Sequence, residues 1–334
     1  MPARFNTPPK QSIRTDWAKP ILSFLRYQMN KKLFYLGLPS EEALDIKAWL
    51  EHIDKVYAFM CRNYKKPSHP SQDRKTVIEL DNYLRSLQRR REISSYQVFD
   101  GFMEEVVLRG EDNSPEKKPF TIDDVVTVYN LDYCNSLTSP LKYVDKLGNH
   151  VEAYKFNAIK TLMNMQAAVP TAYAKKFILF LTIHCSYFER NPGDFQEPLP
   201  EEYSDYLQVI EQLPTPKEKA PYLLKAYSFY NLTSFFITNN FLPEFLPVIH
   251  YIGNGGQPLL FITVVGTQIP NQPGNPRPLQ KRDDFLRGKF ISVGNDGNFI
   301  NNTDLVAHNE VNWAETDSVA LFKNSKTFRQ HWQV

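Results

Sequence analysis

Cysteine is scarce and scattered. Cys61, Cys134 and Cys185 are the three in the chain, and no two stand at metal-site spacing. The odd count, with no apolar stretch in the opening MPARFNTPPKQSIRTDW, leads us to expect reduced thiols and a cytoplasmic protein without a secretion signal. The histidines are as dispersed as the cysteines, and H-x-x-x-H does not occur, so no metal is expected. Neither G-x-S-x-G nor G-x-x-x-x-G-K-[ST] is present. The motifs of serine hydrolases and phosphate-loop enzymes are therefore missing, which sets a nucleotide-binding hydrolase aside. The longest apolar run, Phe177–Ile183, is too short to span a bilayer, so no membrane is expected. An excess of either charge is missing too. Against 39 basic residues stand 37 acidic ones, and a net +2 makes no global field for nucleic acid.

Aromatic side chains are abundant, with 23 Phe and 18 Tyr, enough to expect a core filled with rings. Tyr222, Tyr227, Phe229, Tyr230, Phe235 and Phe236 crowd one helical stretch, where helix-spaced rings belong to a core. A base-stacking or protein-binding surface is the alternative.

Short β-type runs alternate with helical runs from Leu33 onward. The runs are Leu33–Gly37, Val56–Met60, Tyr96–Phe99, Val125–Asp132 and Phe177–His184. A hairpin closes the series: Val248–Ile252, the turn Asn254-Gly255-Gly256-Gln257-Pro258, then Leu259–Gly266. Crossover-linked strands of this kind form a parallel sheet with helices on both faces, and the hairpin adds an antiparallel pair at or near an edge. Leu33–Gly37 and Val125–Asp132 are expected side by side at the centre. Helices are expected over about 16–29, from Ser40 through Ile53, over 71–89, 149–168, 200–213 and 217–240. Residues 1–15 read as an extended arm and 109–119 as a charged surface loop. Arg89-Arg90-Arg91 reads as a solvated helix end, with phosphate binding as the sharper alternative. His184 reads as a satisfied core histidine. After Gly266 comes a Pro-rich strap over 268–280. A small hairpin, Phe290–Val293 with Asn298–Ile300, and a short helix near 317–332 follow. The expected division is an arm and helix over 1–30, a Rossmann-like domain over 31–267, and a C-terminal extension over 268–334.

Sites in open α/β sheets lie outside the carboxyl ends of the strands. The residues there are Gly37-Leu38-Pro39-Ser40, Cys61-Arg62-Asn63, Asp100-Gly101, Asp132-Tyr133-Cys134-Asn135 and Cys185-Ser186-Tyr187. The order of elements, with its terminal hairpin, resembles the class I S-adenosylmethionine-dependent methyltransferase fold over roughly residues 30–266. In that family the last inserted strand of a seven-stranded sheet is antiparallel. The resemblance implies an α/β, Rossmann-like, mostly parallel sheet and S-adenosylmethionine as cofactor. It implies cofactor contacts from Tyr35, Gly37, Pro39, Cys61, Asp100 and Gly101. It implies catalytic roles for Asp132, Tyr133 and Asn135, with Asp132 orienting a substrate N–H or O–H as the methyl leaves the sulfonium. Three departures carry physical weight. One glycine stands where the family usually has two or three, and a non-glycine loop keeps the backbone farther from a ligand. Met60 and Cys61 stand where an acid usually binds the ribose, so a charge-assisted hydrogen bond is lost. Asp132-Tyr133-Cys134-Asn135 is not the Asn/Asp-Pro-Pro-Tyr/Phe signature of amino-directed nucleic-acid methyltransferases.

Two functions from different classes follow as expectations. One is a divergent methyltransferase. The other is a non-catalytic methyltransferase-fold subunit that mediates protein or nucleic-acid interactions in a larger assembly. The Pro-rich strap and the aromatic tail (Phe322, Phe328, Trp332) are the surfaces expected to meet protein partners.

Overall fold

The computed structural model describes residues 6–40, 42–60, 75–133, 137, 140–145, 147–185, 198–269, 282–288 and 290–301. The expected helix near 317–332, the aromatic tail and most of the 268–280 strap lie outside them. The chain divides into two compact units that interleave in sequence. One takes in Leu22–Asp132 and Ser139–Ala172, the other Met1–Ile21, Tyr133–Thr138 and Tyr173–Val334.

The first unit is built on a parallel sheet. Its strands are β1 (Leu33–Gly37), β2 (Ile53–Met60), β3 (Ser95–Asp100) and β4 (Val128–Asp132). Strand β1 pairs with β2 on one side and β4 on the other, and β2 pairs with β3, all parallel. The spatial order is therefore β3-β2-β1-β4. All five residues of β1 are buried, as continuous apolar runs of parallel strands should be. Much of the aromatic excess goes into this core. Phe59, Phe99 and Phe120 form a triangle with ring centroids 5.1–5.4 Å apart, and Tyr57 meets Phe34 edge-on at 4.8 Å.

Helix α4 (Lys75–Arg89) buries Leu80, Leu84 and Leu87 on one stripe. Beyond it Arg90 and Arg91 are exposed, and Arg90 pairs with Glu92 at 2.7 Å in the manner of a solvated helix end. Helix α5 (Met103–Arg109) stops at Gly110, whose φ of +75° lets its N–H turn back to the Val106 carbonyl at 2.9 Å.

Three local expectations change here. The helix after Ser40 is the short α3 (Leu44–Trp49), and Ser40 does not cap it. Ala43 takes the cap position in the left-handed region, φ +48°, and its N–H bonds the Ser40 carbonyl at 2.8 Å. Residues 125–127 are not part of β4, because Gln166 pairs with Val126 through both its amide oxygen (3.1 Å) and its amide nitrogen (2.8 Å). The expected helix from 149 begins only at Lys155 as α6 (Lys155–Ala168). Ahead of it lies an antiparallel hairpin, β5 (Leu141–Val144) and β6 (His150–Ala153). Asp145 builds its turn, accepting the N–H of Leu147 and of Asn149, both at 2.8 Å, with Gly148 at φ +86°.

The second unit is mostly antiparallel. Strand β7 (Lys176–His184) pairs with β10 (Pro258–Gln268) along nine residues. The other edge of β10 is shared: β9 (Ile249–Ile252) covers Pro258–Phe261 and β8 (Phe241–Phe245) covers Val264–Gln268. Gly255 and Gly256 supply the positive φ of the β9–β10 turn, as the sequence predicts. This hairpin is not at an edge. Strand β11 (Ile291–Val293) runs parallel beside β9, and β12 (Phe299–Asn301) closes the series beyond it. Strand β8 was hidden by Pro243, which lacks a ladder N–H and sits opposite Gly266. The arm of the N-terminus is also partly helical. Helix α1 (Pro8–Ser12) runs through a π turn (Ile13–Ala18) into α2 (Lys19–Met29), and the Trp17 indole N–H bonds Thr263 Oγ1 at 3.1 Å. His184 is half-buried and hydrogen-bonds the Gln257 side chain.

A 3₁₀ turn (Glu201–Tyr203) leads into α7 (Ser204–Glu211), and α8 (Pro216–Thr238) follows. Helix α8 starts with a capping box: Thr215 Oγ1 accepts the Glu218 N–H at 3.3 Å, and Glu218 Oε2 accepts the Thr215 N–H at 3.1 Å. Thr215→Ala should lower stability by about 1 kcal/mol in a denaturant titration. No measurable change would mean the box contributes nothing. Its aromatic residues Tyr227, Phe229, Phe235 and Phe236 are buried, so core packing is their use. The fold is α/β and Rossmann-like, with parallel strands at the centre of its first unit. Among the described residues no helix is long and apolar enough to cross a membrane.

Candidate functional site

The carboxyl ends of β1 to β4 converge within the first unit. At the end of β1 the backbone continues its pairing, with the Leu38 N–H on the Asn130 carbonyl at 2.9 Å. Tyr35 and Gly37 lie two apart on the strand and share a face. The Tyr35 ring therefore reaches over Gly37. A Cβ at position 37 would stand 2.5 Å from Tyr35 Oη and 2.5 Å from the Asn130 carbonyl oxygen. Asn130 Nδ2 donates to Tyr35 Oη at 3.3 Å and to Asp45 Oδ2 at 2.8 Å. Tyr35 also packs against Trp49, with centroids 6.2 Å apart. Gly37, Pro39 and Tyr35 are all buried. The glycine's missing side chain is thus used by a neighbour in the same chain.

Strand β2 ends at Met60, which is buried; Cys61 lies outside the described residues. At the end of β3 the backbone is held from three sides. The Gly101 N–H bonds the Met60 carbonyl at 3.1 Å, the Asn113 N–H bonds the Asp100 carbonyl at 2.7 Å, and Asp112 Oδ2 accepts the Asp100 N–H at 3.2 Å. Gly101 has φ +142°, a conformation that favours glycine, and a Cβ there would stand 2.8 Å from Asn113 Nδ2, so that side chain would have to shift. Asp100 is buried, 5% exposed.

The segment read as a charged surface loop is folded around a buried carboxylate. Asp112 Oδ1 accepts the Ser114 N–H (3.0 Å), the Ser114 hydroxyl (2.6 Å) and the Lys118 N–H (2.9 Å). Beside it Arg109 donates to Glu105 Oε1 (2.9 Å) and Asn113 Oδ1 (2.6 Å), and Asn113 Nδ2 donates to Glu105 Oε2 (2.7 Å). Lys155 pairs with Glu104 at 3.5 Å, both buried. The acids crowded near Asp100 are matched by cations and donors, as buried charges must be. Tyr129 on β4 bonds Gln166 Oε1 at 3.1 Å, and burial pushes its phenol well above the usual range, so it stays neutral.

Asp132 ends β4 half-buried. Tyr133 belongs to the other unit; it is buried, and its N–H bonds the Thr182 carbonyl at 3.2 Å. Asn135 lies outside the described residues. Of the expected cofactor residues, Tyr35 and Gly37 meet each other, and Asp100 and Gly101 share the Asp112 turn. Asn130, Asp45, Asp112 and Asn113 were missed. An Asp-Asn-Ser run is turn chemistry that could have exposed Asp112 and Asn113. Among the described residues no group of three or more His, Cys, Asp or Glu could hold a metal ion.

These strands and turns define an α/β protein with its candidate site at the strand ends. Residues 5–190 match the model of the PP_RS20740-like family, more than half of the chain, and the chain belongs to that family. No curated protein sequence matches it. Among solved structures it is similar to one named "Putative hemolysin from Streptococcus thermophilus", at 8% identity and a TM-score of 0.33, covering 86% of this chain and 75% of that one. A likeness this loose says nothing of fold or activity.

Proposed function

We propose that this chain is a divergent S-adenosylmethionine-dependent methyltransferase-like protein. The observation that carries the reading is strand order. The parallel β3-β2-β1-β4 series matches the first four strands of the doubly wound order, with Gly37 and Asp100-Gly101 at its carboxyl ends. In the other unit the late strand β10 runs antiparallel between β7 and β9, which agrees with an inserted antiparallel strand. The fit to the cofactor is divided. Buried Asp100, on a backbone fixed from three sides, suits a ribose or adenine donor. The β1 end does not suit the cofactor's close approach, because Tyr35 Oη fills the space beside Gly37.

That filled space, with apolar Met60 at the end of β2, favours a second reading: a methyltransferase-fold subunit that serves an assembly without catalysis. Calorimetry with S-adenosylmethionine and its demethylated product separates the two. The missing acid after β2 removes about 1.5–3 kcal/mol, so binding of roughly tens of micromolar or weaker is expected. Submicromolar binding would show that other residues hold the ribose. No heat at millimolar ligand would favour the non-catalytic subunit. In an active preparation, Asp132→Ala should abolish methyl transfer and leave the circular dichroism spectrum unchanged, since the side chain closes a strand rather than filling the core. Full activity in that variant would remove Asp132 from the mechanism.

A further inference from the structure

Three turns meet at the amino ends of β1, β2 and β3 in the first unit. The Leu33 N–H bonds the His52 carbonyl and the Ser94 N–H bonds the Asp54 carbonyl, both at 2.8 Å. Arg26 donates to the Glu51 carbonyl at 2.7 Å, and Lys32 to the Glu92 carbonyl at 3.0 Å. Six bases gather on these turns: Arg26, Lys31, Lys32, Arg89, Arg90 and Arg91. The three acids among them are engaged. Glu92 pairs with Arg90 at 2.7 Å, Asp54 accepts the Ser94 hydroxyl at 2.6 Å, and Glu51 lies 3.4 Å from His52 Nε2. On the loop before β4, Asp123 is matched by Lys55 at 2.6 Å, and Asp124 adds one more negative charge. With Lys55 included, seven bases stand against five acids among the described residues of this end, an excess equal to the net charge of the whole chain. The field is local rather than global.

Basic residues at the end of α4 suit its dipole, but the backbone of Arg91 needs another reason. The Glu92 N–H bonds the Leu87 carbonyl at 3.0 Å and the Arg91 N–H bonds the Gln88 carbonyl at 2.9 Å, which is the Schellman pattern of a helix end. Arg91 fills its left-handed position at φ +61°, where glycine is the usual occupant and a side chain is strained. The chain thus keeps an exposed guanidinium at a place its fold would give to glycine, and strain held in this way points to use. Tyr27, near the end of α2, is 81% exposed beside Arg26 and is the one large apolar side chain exposed on these turns.

We propose that these turns bind single-stranded nucleic acid, with phosphates on Lys31, Arg89 and Arg91 and a base stacked on Tyr27. Arginine's planar fork matches a phosphate, and an exposed ring takes the face of an unpaired base. A membrane surface is a poorer fit, because one tyrosine between Gln28 and Arg26 gives lipid no apolar face to receive. The turns lie at the opposite ends of the strands from Gly37 and Asp100, so the inference rests on neither reading of that site.

The test is fluorescence anisotropy on the full chain with short labelled oligothymidylate and oligouridylate, a DNA duplex, and vesicles of phosphatidylcholine with phosphatidylserine. Saturable binding of at least one single strand is expected, with log K falling against log salt at a slope of about −2 for three phosphates. Tighter binding of the uridylate identifies RNA through its 2′-hydroxyls. Arg91→Gly should weaken binding about threefold or more and lower the slope by about 0.7, while the melting temperature holds or rises. Weaker binding there is then not a loss of fold. Tyr27→Ala should weaken binding about fivefold or more and leave the slope unchanged. Lys142→Ala, on the exposed β5–β6 hairpin, should change nothing. The proposal is overturned if neither single strand binds at about 100 micromolar protein and about 50 mM salt. It is equally overturned if the duplex or the vesicles bind more tightly than both single strands, or if Arg91→Gly and Tyr27→Ala both bind like the parent chain.

Discussion

Asp112→Ala is expected to lower the unfolding free energy by about 3 kcal/mol. The carboxylate accepts backbone N–H groups from Asp100, Ser114 and Lys118 as well as the Ser114 hydroxyl. Alanine leaves the backbone donors without an acceptor. Each buried orphan costs about 1–3 kcal/mol, and part of that returns where Ser114 and Lys118 can reach water. The Asp100 N–H has no such recourse, since Asp100 is 5% exposed. Asp112→Asn keeps one acceptor oxygen, so about half the loss is expected. Urea denaturation measures the total, and hydrogen exchange at the Asp100 amide measures the local part. If Asp112→Ala unfolds at the same urea concentration as the parent, the turn is not what holds the end of β3. If stability falls but the Asp100 amide stays protected, Asp112 supports only its own loop.

The difference between what could and could not be read from the sequence has a physical pattern. Strands β1, β2 and β7 were legible because strands buried on both faces are written as unbroken apolar runs. The β9–β10 turn was legible because two glycines at positive φ announce it. The hairpin β5–β6 was not, because its strands are short and largely exposed, and one side chain, Asp145, makes its turn. Strand β8 carries a proline that argues against a strand until the shared edge of β10 is known. Ala43 shows tertiary context overriding propensity. Alanine is the best helix former, yet here it stands in the left-handed region just before the helix starts.

The candidate site divides in the same way. Strand ends could be listed from the sequence, but what packs against them could not. Asn130 stands out as a polar residue in an apolar run, but its partner Asp45 is 85 residues away in the chain. A close approach across that distance leaves no local signature. Gly37 was therefore expected to face a ligand, whereas the space beside it holds Tyr35. The position of a glycine says where the backbone is bare. It does not say what takes advantage of it.

Gly37→Ala makes that distinction measurable. The new Cβ meets the Asn130 carbonyl oxygen at 2.5 Å, Tyr35 Oη at 2.5 Å and Tyr35 Cζ at 2.7 Å. All lie in a core where overpacking costs about 1–3 kcal/mol, and the stiffer unfolded chain returns only about 0.4–1 kcal/mol. The carbonyl cannot retreat easily, because it accepts the Leu38 N–H at 2.9 Å between paired strands. A net loss of about 2 kcal/mol is expected. Tyr35→Phe removes the nearest side-chain atom and one acceptor of Asn130, at a cost of about 1 kcal/mol. Combining the two should be less damaging than their sum, by about 1 kcal/mol, because the hydroxyl clash exists only when the new Cβ at 37 meets the parent Tyr35 hydroxyl. Strictly additive losses would mean the Asn130 carbonyl alone excludes a side chain at 37. The pair also bears on function. If Gly37 serves only Tyr35, the double variant should bind S-adenosylmethionine as the parent does. If the bare backbone at 37 also serves a ligand, the double variant should be no less stable than Gly37→Ala alone while its affinity stays reduced. Calorimetry beside a melting curve separates these outcomes in one set of proteins.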